Sequence, residues 1–318
     1  MQNSKKLKDI LKQHLHLENQ YNTQNSENLA HNMSTLKMND SLKMITYDIK
    51  DLYINIPIEE NLTITKQQLL KNNDKYITKQ IITILHTILK QNYFEFQETI
   101  YHPSKGIAMG SPISGTMAEI FLQHIENKHI KQLLDSKNIV FYTRYVDDIF
   151  IIFDTTRITP DEIQIHVDHM HKNLKLTPTH EDNAQISFLD ILITRQKNDL
   201  SISIYRKPTT TDTTINYISN HPMEHKLAAF RYHISRMITF PLNEESRNSE
   251  WNIICHIAHN SNFPYNRINE LKNQIEHNKT HQKPGDNTAK NKWVTFTYYS
   301  PRIRKINLLL NYFNIFDQ

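Results

Sequence analysis

Asp147 and Asp148 stand side by side in I-V-F-Y-T-R-Y-V-D-D-I-F-I-I-F, residues 139–153. Two apolar, β-branched runs flank the pair, which predicts a hairpin with both acids at its turn. Two like charges held between Val146 and Ile149 are costly unless a cation neutralises them. Carboxylates offer oxygen donors only, which select Mg²⁺, with Mn²⁺ as the alternative, over zinc. A third carboxylate, Asp48, ends another apolar run, L-K-M-I-T-Y at 42–47. If the two strands are neighbours in one sheet, three carboxylates meet at one edge. Such a cluster can hold two metal ions about 3.5–4 Å apart, one activating a hydroxyl and one holding a triphosphate and its leaving group. For a D-D pair with no such context, an exposed type I′ turn favoured by Asp is the simpler account.

Glycine is the second signal. The chain of 318 residues has four, where average usage of about 7% would give roughly 22. Gly106, Gly110 and Gly115 fall within ten residues of each other, and Gly285 stands apart. Such clustering marks a loop that needs positive φ or close backbone approach.

Composition narrows the classes. A hydrophobic share of 38% with 22% charged residues argues against a disordered tail and against a membrane protein. The N-terminus has no apolar signal-peptide core, and the run Ile306 to Phe316 is broken by Asn307, Asn311 and Asn314. A single cysteine, Cys255, excludes an internal disulfide framework. These features suggest an intracellular setting, nucleus or cytoplasm. Net charge is +4, but nine Lys or Arg against three acids between Asn266 and Ile306 make that segment +6 and the remainder −2. The asymmetry suggests an anionic partner, against the simpler account of a solvated lysine-rich surface. The sets His166, His169, His171 and Cys255, His256, His259 have loosely metal-like spacing, but no CxxC partner completes the four ligands of a zinc site. Neither a GxxxxGK[ST] phosphate loop nor a G-x-S-x-G elbow occurs.

The elements that must position the acids follow from periodicity. Residues 1–40 read as helical with a loop near Asn22–Ser26, and Leu42 to Tyr47 as a buried strand. A helix starts after Pro57, giving helices over 59–72 and 76–91. Tyr93–Phe96 and Thr99–His102 read as a short hairpin, residues 103–111 as the glycine loop, and Ile113 to Leu134 as a helix. A helix over 160–173 and strands at Leu174–Thr179 and Ile186–Thr194 follow, the latter pairing with Leu200–Arg206. From about residue 222 the chain is helical with breaks at Pro241 and Pro264. The fold class is α+β, with helices covering one face of an antiparallel sheet.

Several segments, in order, resemble reverse transcriptases, and most fully those of Penelope-like retroelements, which are similar to the telomerase catalytic subunit. Y-D-I-K-D-L-Y-I-N-I-P at 47–57 resembles the first palm motif, G-I-A-M-G-S-P-I-S-G-T-M-A-E-I-F-L at 106–122 the glycine-rich second, and R-Y-V-D-D-I-F at 144–150 the third. S-F-L-D-I-L-I at 187–193, I-Y-R-K-P-T-T-T-D at 204–212 and N-H-P-M-E-H-K at 220–226 resemble later segments, the last opening a helical thumb.

The resemblance implies a right-hand polymerase palm followed by a helical thumb, acting as an RNA-directed DNA polymerase with two Mg²⁺ ions, dNTPs, a DNA primer and an RNA template. It implies Asp48 and Asp147 as essential metal ligands and Asp148 as a helper. Tyr53 resembles the steric gate beneath the deoxyribose. Asp51 would shape the triphosphate site, and Lys175 would lie near the pyrophosphate. Gly106, Met109, Gly110 and Ser111 would lie against the incoming base pair and template, with Pro112 near the first turn of the following helix. Arg206 and Lys207 would touch the primer backbone. Arg144 has a structural ion pair as its alternative role.

The implied ranges are 1–40 for a remnant of the fingers, 41–215 for the palm, 216–292 for the thumb and 293–318 for a linker. K-W-V-T-F-T-Y-Y at 292–299 resembles the linker that precedes an endonuclease domain, expected in the full-length polyprotein. Only 47 residues precede Asp48, and the first arginine of the chain is Arg144. The expectation is a retroelement fragment truncated at both ends. Its rivals are a catalytically inactive remnant that only binds nucleic acid, and an RNA-templated RNA polymerase, against which Tyr53 argues.

Overall fold

The computed structural model describes residues 2–17 and 20–280. The expected linker at 293–318 and most of the basic C-terminal segment lie outside the described residues. The chain forms two compact units that divide between Ser201 and Ile202, ahead of the palm-to-thumb junction placed at residue 215.

The first unit begins with α1 (Gln2–His14) and α2 (Ser26–Ser34), then β1 (Leu42–Ile49), α3 (Leu52–Asn55), α4 (Ile58–Leu69) and α5 (Lys75–Lys90). A hairpin of β2 (Phe94–Phe96) and β3 (Thr99–Tyr101) leads through the glycine loop to α6 (Ser114–Asp135). Then come β4 (Ile139–Tyr145), β5 (Asp148–Asp154), α7 (Pro160–Asp168), β6 (Leu176–His180), β7 (Gln185–Phe188) and β8 (Ile191–Arg195). β9 (Leu200–Ile204) crosses the boundary, and α8 (Met223–Thr239), α9 (Glu244–Asn260) and α10 (Tyr265–Thr280) form the second unit.

The main sheet has the order β4-β5-β1-β6, with β1 antiparallel to both β5 and β6 and β4 antiparallel to β5. Its two middle strands explain their own sequences. Strand alternation sends Ile149, Ile151 and Phe153 of β5, with Ile45, Tyr47 and Ile49 of β1, into a core shared with α1, α4, α5, α6 and α7. Phe150 points the other way and packs against Phe141 and Phe188. The sheet is therefore buried on both faces, which is why β5 reads as an unbroken apolar run.

Helix starts follow their capping residues. The Asp74 side chain accepts from the Ile77 amide at 2.8 Å and opens α5. Thr159 and Glu162 form a reciprocal capping box ahead of α7, with Pro160 at its first position.

Three expectations need correction, and one element was not foreseen. Helix α7 ends at Asp168, not residue 173, where the chain turns to deliver β6. The strand expected over Ile186–Thr194 is two strands, β7 and β8, that fold back at Leu189, whose φ is 53°. Helix α6 begins at Ser114, past Pro112, and the Ser114 hydroxyl donates back to the Ala108 carbonyl at 2.6 Å, closing the glycine loop. The short helix α3 was not expected; Asp51, at φ 52°, turns the chain out of β1 into it. Among the described residues no helix is long and apolar enough to cross a membrane.

Candidate active site

The sheet register places Asp48 directly opposite Asp148, at the end of the β1–β5 ladder. Directly opposed residues on one face of an antiparallel pair have Cβ atoms about 4.5–5.5 Å apart. On the other side of β5, Tyr145 pairs with Asp148, so Val146 and Asp147 form a two-residue hairpin turn. Val146 takes φ 56°, and Asp147 is not in the left-handed region. Only the first central residue is inverted, the pattern of a type II′ turn rather than I′, and that position ordinarily takes glycine. A β-branched residue there is strained and needs its surroundings to hold it.

Two contacts hold it. Arg144 Nη1 donates to the Val146 carbonyl at 3.1 Å. The Ile49 amide donates to the Asp147 carbonyl at 3.0 Å. Arg144 itself is 1% exposed in its side chain. Its Nε donates to Glu126 at 2.6 Å, and its Nη2 to Glu126 at 3.1 Å and to Glu119 at 2.9 Å. Tyr142 donates to the same Glu126 oxygen at 2.8 Å. Burial opposes the arginine's charge, but the bonds and charges of Glu126 and Glu119 outweigh it, so its pKa is raised. Burial also pushes Glu119 upward, yet Arg144 overrides it and holds that carboxyl below its ordinary range. Arg144 is thus an ion-pair residue, as its alternative role had it. The two glutamates were missed; their signal was a spacing of one heptad along α6, which puts them on one helix face.

Backbone geometry brings the three expected acids to one sheet edge. Asp48 is exposed, and Asp147 and Asp148 are half-buried. Among the described residues, no three His, Cys, Asp or Glu side chains are drawn into a closed metal cage. Among those residues no lysine or arginine is ion-paired with Asp48 or Asp147. The three carboxylates offer hard oxygen donors, the donor chemistry that would suit a divalent ion of the Mg²⁺ type.

Tyr53, on α3, lies beside this edge. Its phenol pKa is raised, first by burial and then by the negative charge of Asp147. α3 is seated by the glycine loop: the Ile107 amide donates to the Tyr53 carbonyl at 2.8 Å. Gly106, buried at φ 76°, lies so close that a Cβ there would meet the Ile54 backbone at 2.5 Å. Glycine is demanded there by packing against the Ile54 backbone and by the positive φ. Gly110, at φ 86°, has open space around it. Met109 is 73% exposed, and Ser111 is half-buried.

Next to α3 is a groove of about 690 Å³ lined by Lys50, Lys105, Lys172 and Lys175, with Asp51 and Gly106 in its wall. The Lys50 amide donates to the Lys175 carbonyl at 2.9 Å, which joins the backbones of these two residues just beyond the adjoining ends of β1 and β6. Lys50, Lys105 and Lys172 were not expected, being scattered in sequence. In the second unit, Arg206 is held by Glu250, with Nη1 to Oε2 at 2.6 Å, while Lys207 is exposed. The two histidine sets form no metal group; His169, for one, contacts the Ile165 carbonyl.

Comparison with known proteins adds the following. A family model described as reverse transcriptase (RNA-dependent DNA polymerase) matches residues 1–178. Comparison with curated proteins gave no match. Among solved structures, telomerase from Candida albicans with a TWJ fragment of telomeric RNA is similar at 13% identity and TM-score 0.52, covering 84% of this chain and 47% of that one. Apo telomerase from Candida tropicalis is similar at 11% identity and TM-score 0.50, covering 97% and 52%. The chain spans about half the length of these telomerases, and the likeness is one of fold.

Proposed function

The chain belongs to the reverse transcriptase (RNA-dependent DNA polymerase) family, and from that premise we propose that it is the polymerase core of a Penelope-like retroelement. It would add dNTPs to a DNA primer on an RNA template. The observation that carries this reading is the opposition of Asp48 and Asp148 across β1 and β5, with Asp147 next to it on the β4–β5 turn and Tyr53 within reach of its charge.

Asp48 and Asp147 would hold two Mg²⁺ ions, with Asp148 assisting. When bound, such ions lower the pKa of the primer hydroxyl and neutralise the charge of the departing pyrophosphate. The chain's own groups do the positioning. The four lysines of the groove, Lys175 among them, attract the triphosphate tail, and Asp51 shapes its wall. Tyr53 fills the space a ribose 2′-hydroxyl would need. Met109, Gly110 and Ser111 offer an exposed loop to the templating base pair. Lys207 is available to a phosphate backbone, while Arg206 engages one only by sharing or leaving Glu250. An endonuclease domain in the full-length polyprotein belongs to the same proposal.

Purified protein with a DNA primer annealed to RNA, dNTPs and Mg²⁺ should extend the primer, and Asp147→Ala should abolish extension. Equal activity in the variant would sink the assignment. Salt-sensitive nucleic-acid binding without extension in the wild type would mark an inactive remnant instead.

A further inference from the structure

The turn that carries Asp147 is strained, and its two successive carbonyls are pinned from opposite sides. Ile49 of β1 holds the Asp147 carbonyl, and Arg144 holds that of Val146. Arg144 is in turn fixed on every side. Its guanidinium engages two glutamates of α6 through Nε, Nη1 and Nη2. Its backbone amide donates to the Tyr21 carbonyl at 2.8 Å and its carbonyl accepts from the Thr23 amide at 3.0 Å. A buried ion pair alone requires only one carboxylate. Here the guanidinium has two, and still spends a donor on a backbone oxygen two residues ahead, at the one β-branched residue among those described that takes positive φ.

We propose that Arg144 is the positioning residue of the Tyr145–Asp148 turn. It transmits the fixed position of α6 to the Val146 carbonyl, and so sets where Asp147 stands relative to Asp48. The planar fork of arginine is needed, because it reaches Glu126, Glu119 and the carbonyl at once; a single ammonium cannot. The inference rests on the reading that this turn holds the metal-binding carboxylates, but the order of the turn can be measured without any metal.

The test is Arg144→Lys, which keeps a charge for the glutamates but loses the fork. Amide hydrogen exchange across Val146–Ile149 should accelerate about tenfold, while α4 amides keep wild-type rates. In primer extension, well below the melting temperature, kcat should fall about tenfold or more, as for loss of an orienting partner. The Mg²⁺ concentration for half-maximal rate should rise, with KM for dNTP unchanged within about twofold. A role in stability alone would lower the melting temperature and leave turn exchange and the Mg²⁺ requirement as in the wild type; that result overturns the proposal. If Arg144→Lys does not fold, Glu119→Gln removes one anchor while Glu126 still pairs with the arginine. It should accelerate turn exchange about threefold, and wild-type exchange in that variant overturns the proposal. If the wild type itself does not extend primers, the reading of the chemistry fails, and the exchange measurements alone decide the role of Arg144.

Discussion

The amide of Ile49 donates to the carbonyl of Asp147 at 3.0 Å, so the strand that carries Asp48 is bonded to the turn that carries Asp147. The two carboxylates are brought together by backbone, not by their side chains. Like charges directly opposed across a ladder repel, so Asp48 facing Asp148 is a cost of the fold. Removing one charge should relieve it. Asp48→Asn should abolish extension while raising stability in chelator by a few tenths to about 1 kcal/mol, the range for like charges opposed across a ladder. Added Mg²⁺ should raise the melting temperature of the wild type and not of the variant. A variant that loses stability in chelator would contradict this account.

Burial and then the negative charge of Asp147 raise the Tyr53 phenol pKa, so the ring is within electrostatic reach of that carboxylate. If it excludes a 2′-hydroxyl, a shorter side chain should admit ribonucleotides. Tyr53→Val should reduce the preference for dNTP over rNTP by about tenfold or more in kcat/KM. Unchanged preference, with extension intact, would reduce Tyr53 to a packing residue.

The acids were legible because their strands are apolar on both sides, which leaves charge at their ends as the anomaly. Of the sheet pairing, the β4–β5 hairpin was legible, while the adjacency of β1 and β5 was only a condition of the argument until the register supplied it. What was not legible depends on contacts distant in sequence. Glu119 and Glu126 look like ordinary helix-surface acids until Arg144 is seen between them. Gly106 reads as a loop glycine, and the close approach of the Ile54 backbone, distant in sequence, could not be read from it. The lysines at 50, 105, 172 and 175 become a group only when α3, the glycine loop and the segment leading into β6 surround one groove. Leu189 gave no turn signal, since leucine seldom takes positive φ and only the pairing of β7 with β8 imposes it.

The two loop glycines should separate cleanly. At Gly106 an added Cβ meets the Ile54 backbone at 2.5 Å and the φ of 76° disfavours any side chain. Left-handed strain and overpacking together make Gly106→Ala cost about 2–4 kcal/mol. At Gly110 only the φ of 86° opposes a side chain, because nothing lies within 4 Å. Gly110→Ala should cost about 1 kcal/mol. Urea denaturation of the two variants measures the difference, and equal losses would mean that Gly106 is not packed under α3.

His233 gives the second unit a pH dependence whose sign is fixed by its surroundings. Burial first, then the charges of Arg206 and Arg236, lower its pKa from 6.5 to about 4. The folded chain therefore keeps a neutral imidazole where the unfolded chain takes up a proton. Stability from this residue is fully present above pH 6.5, falls as pH drops toward 4, and falls no further below that. Discounted for the solvent that reaches the half-buried ring, the loss between pH 7 and the lower limit is about 1–2 kcal/mol. Chemical denaturation at a series of pH values should show this decline, and His233→Leu should flatten it. A wild type whose stability is level from pH 7 to 4.5, or a variant that declines as steeply, would place the ring in a solvated setting and remove the two arginines as its cause.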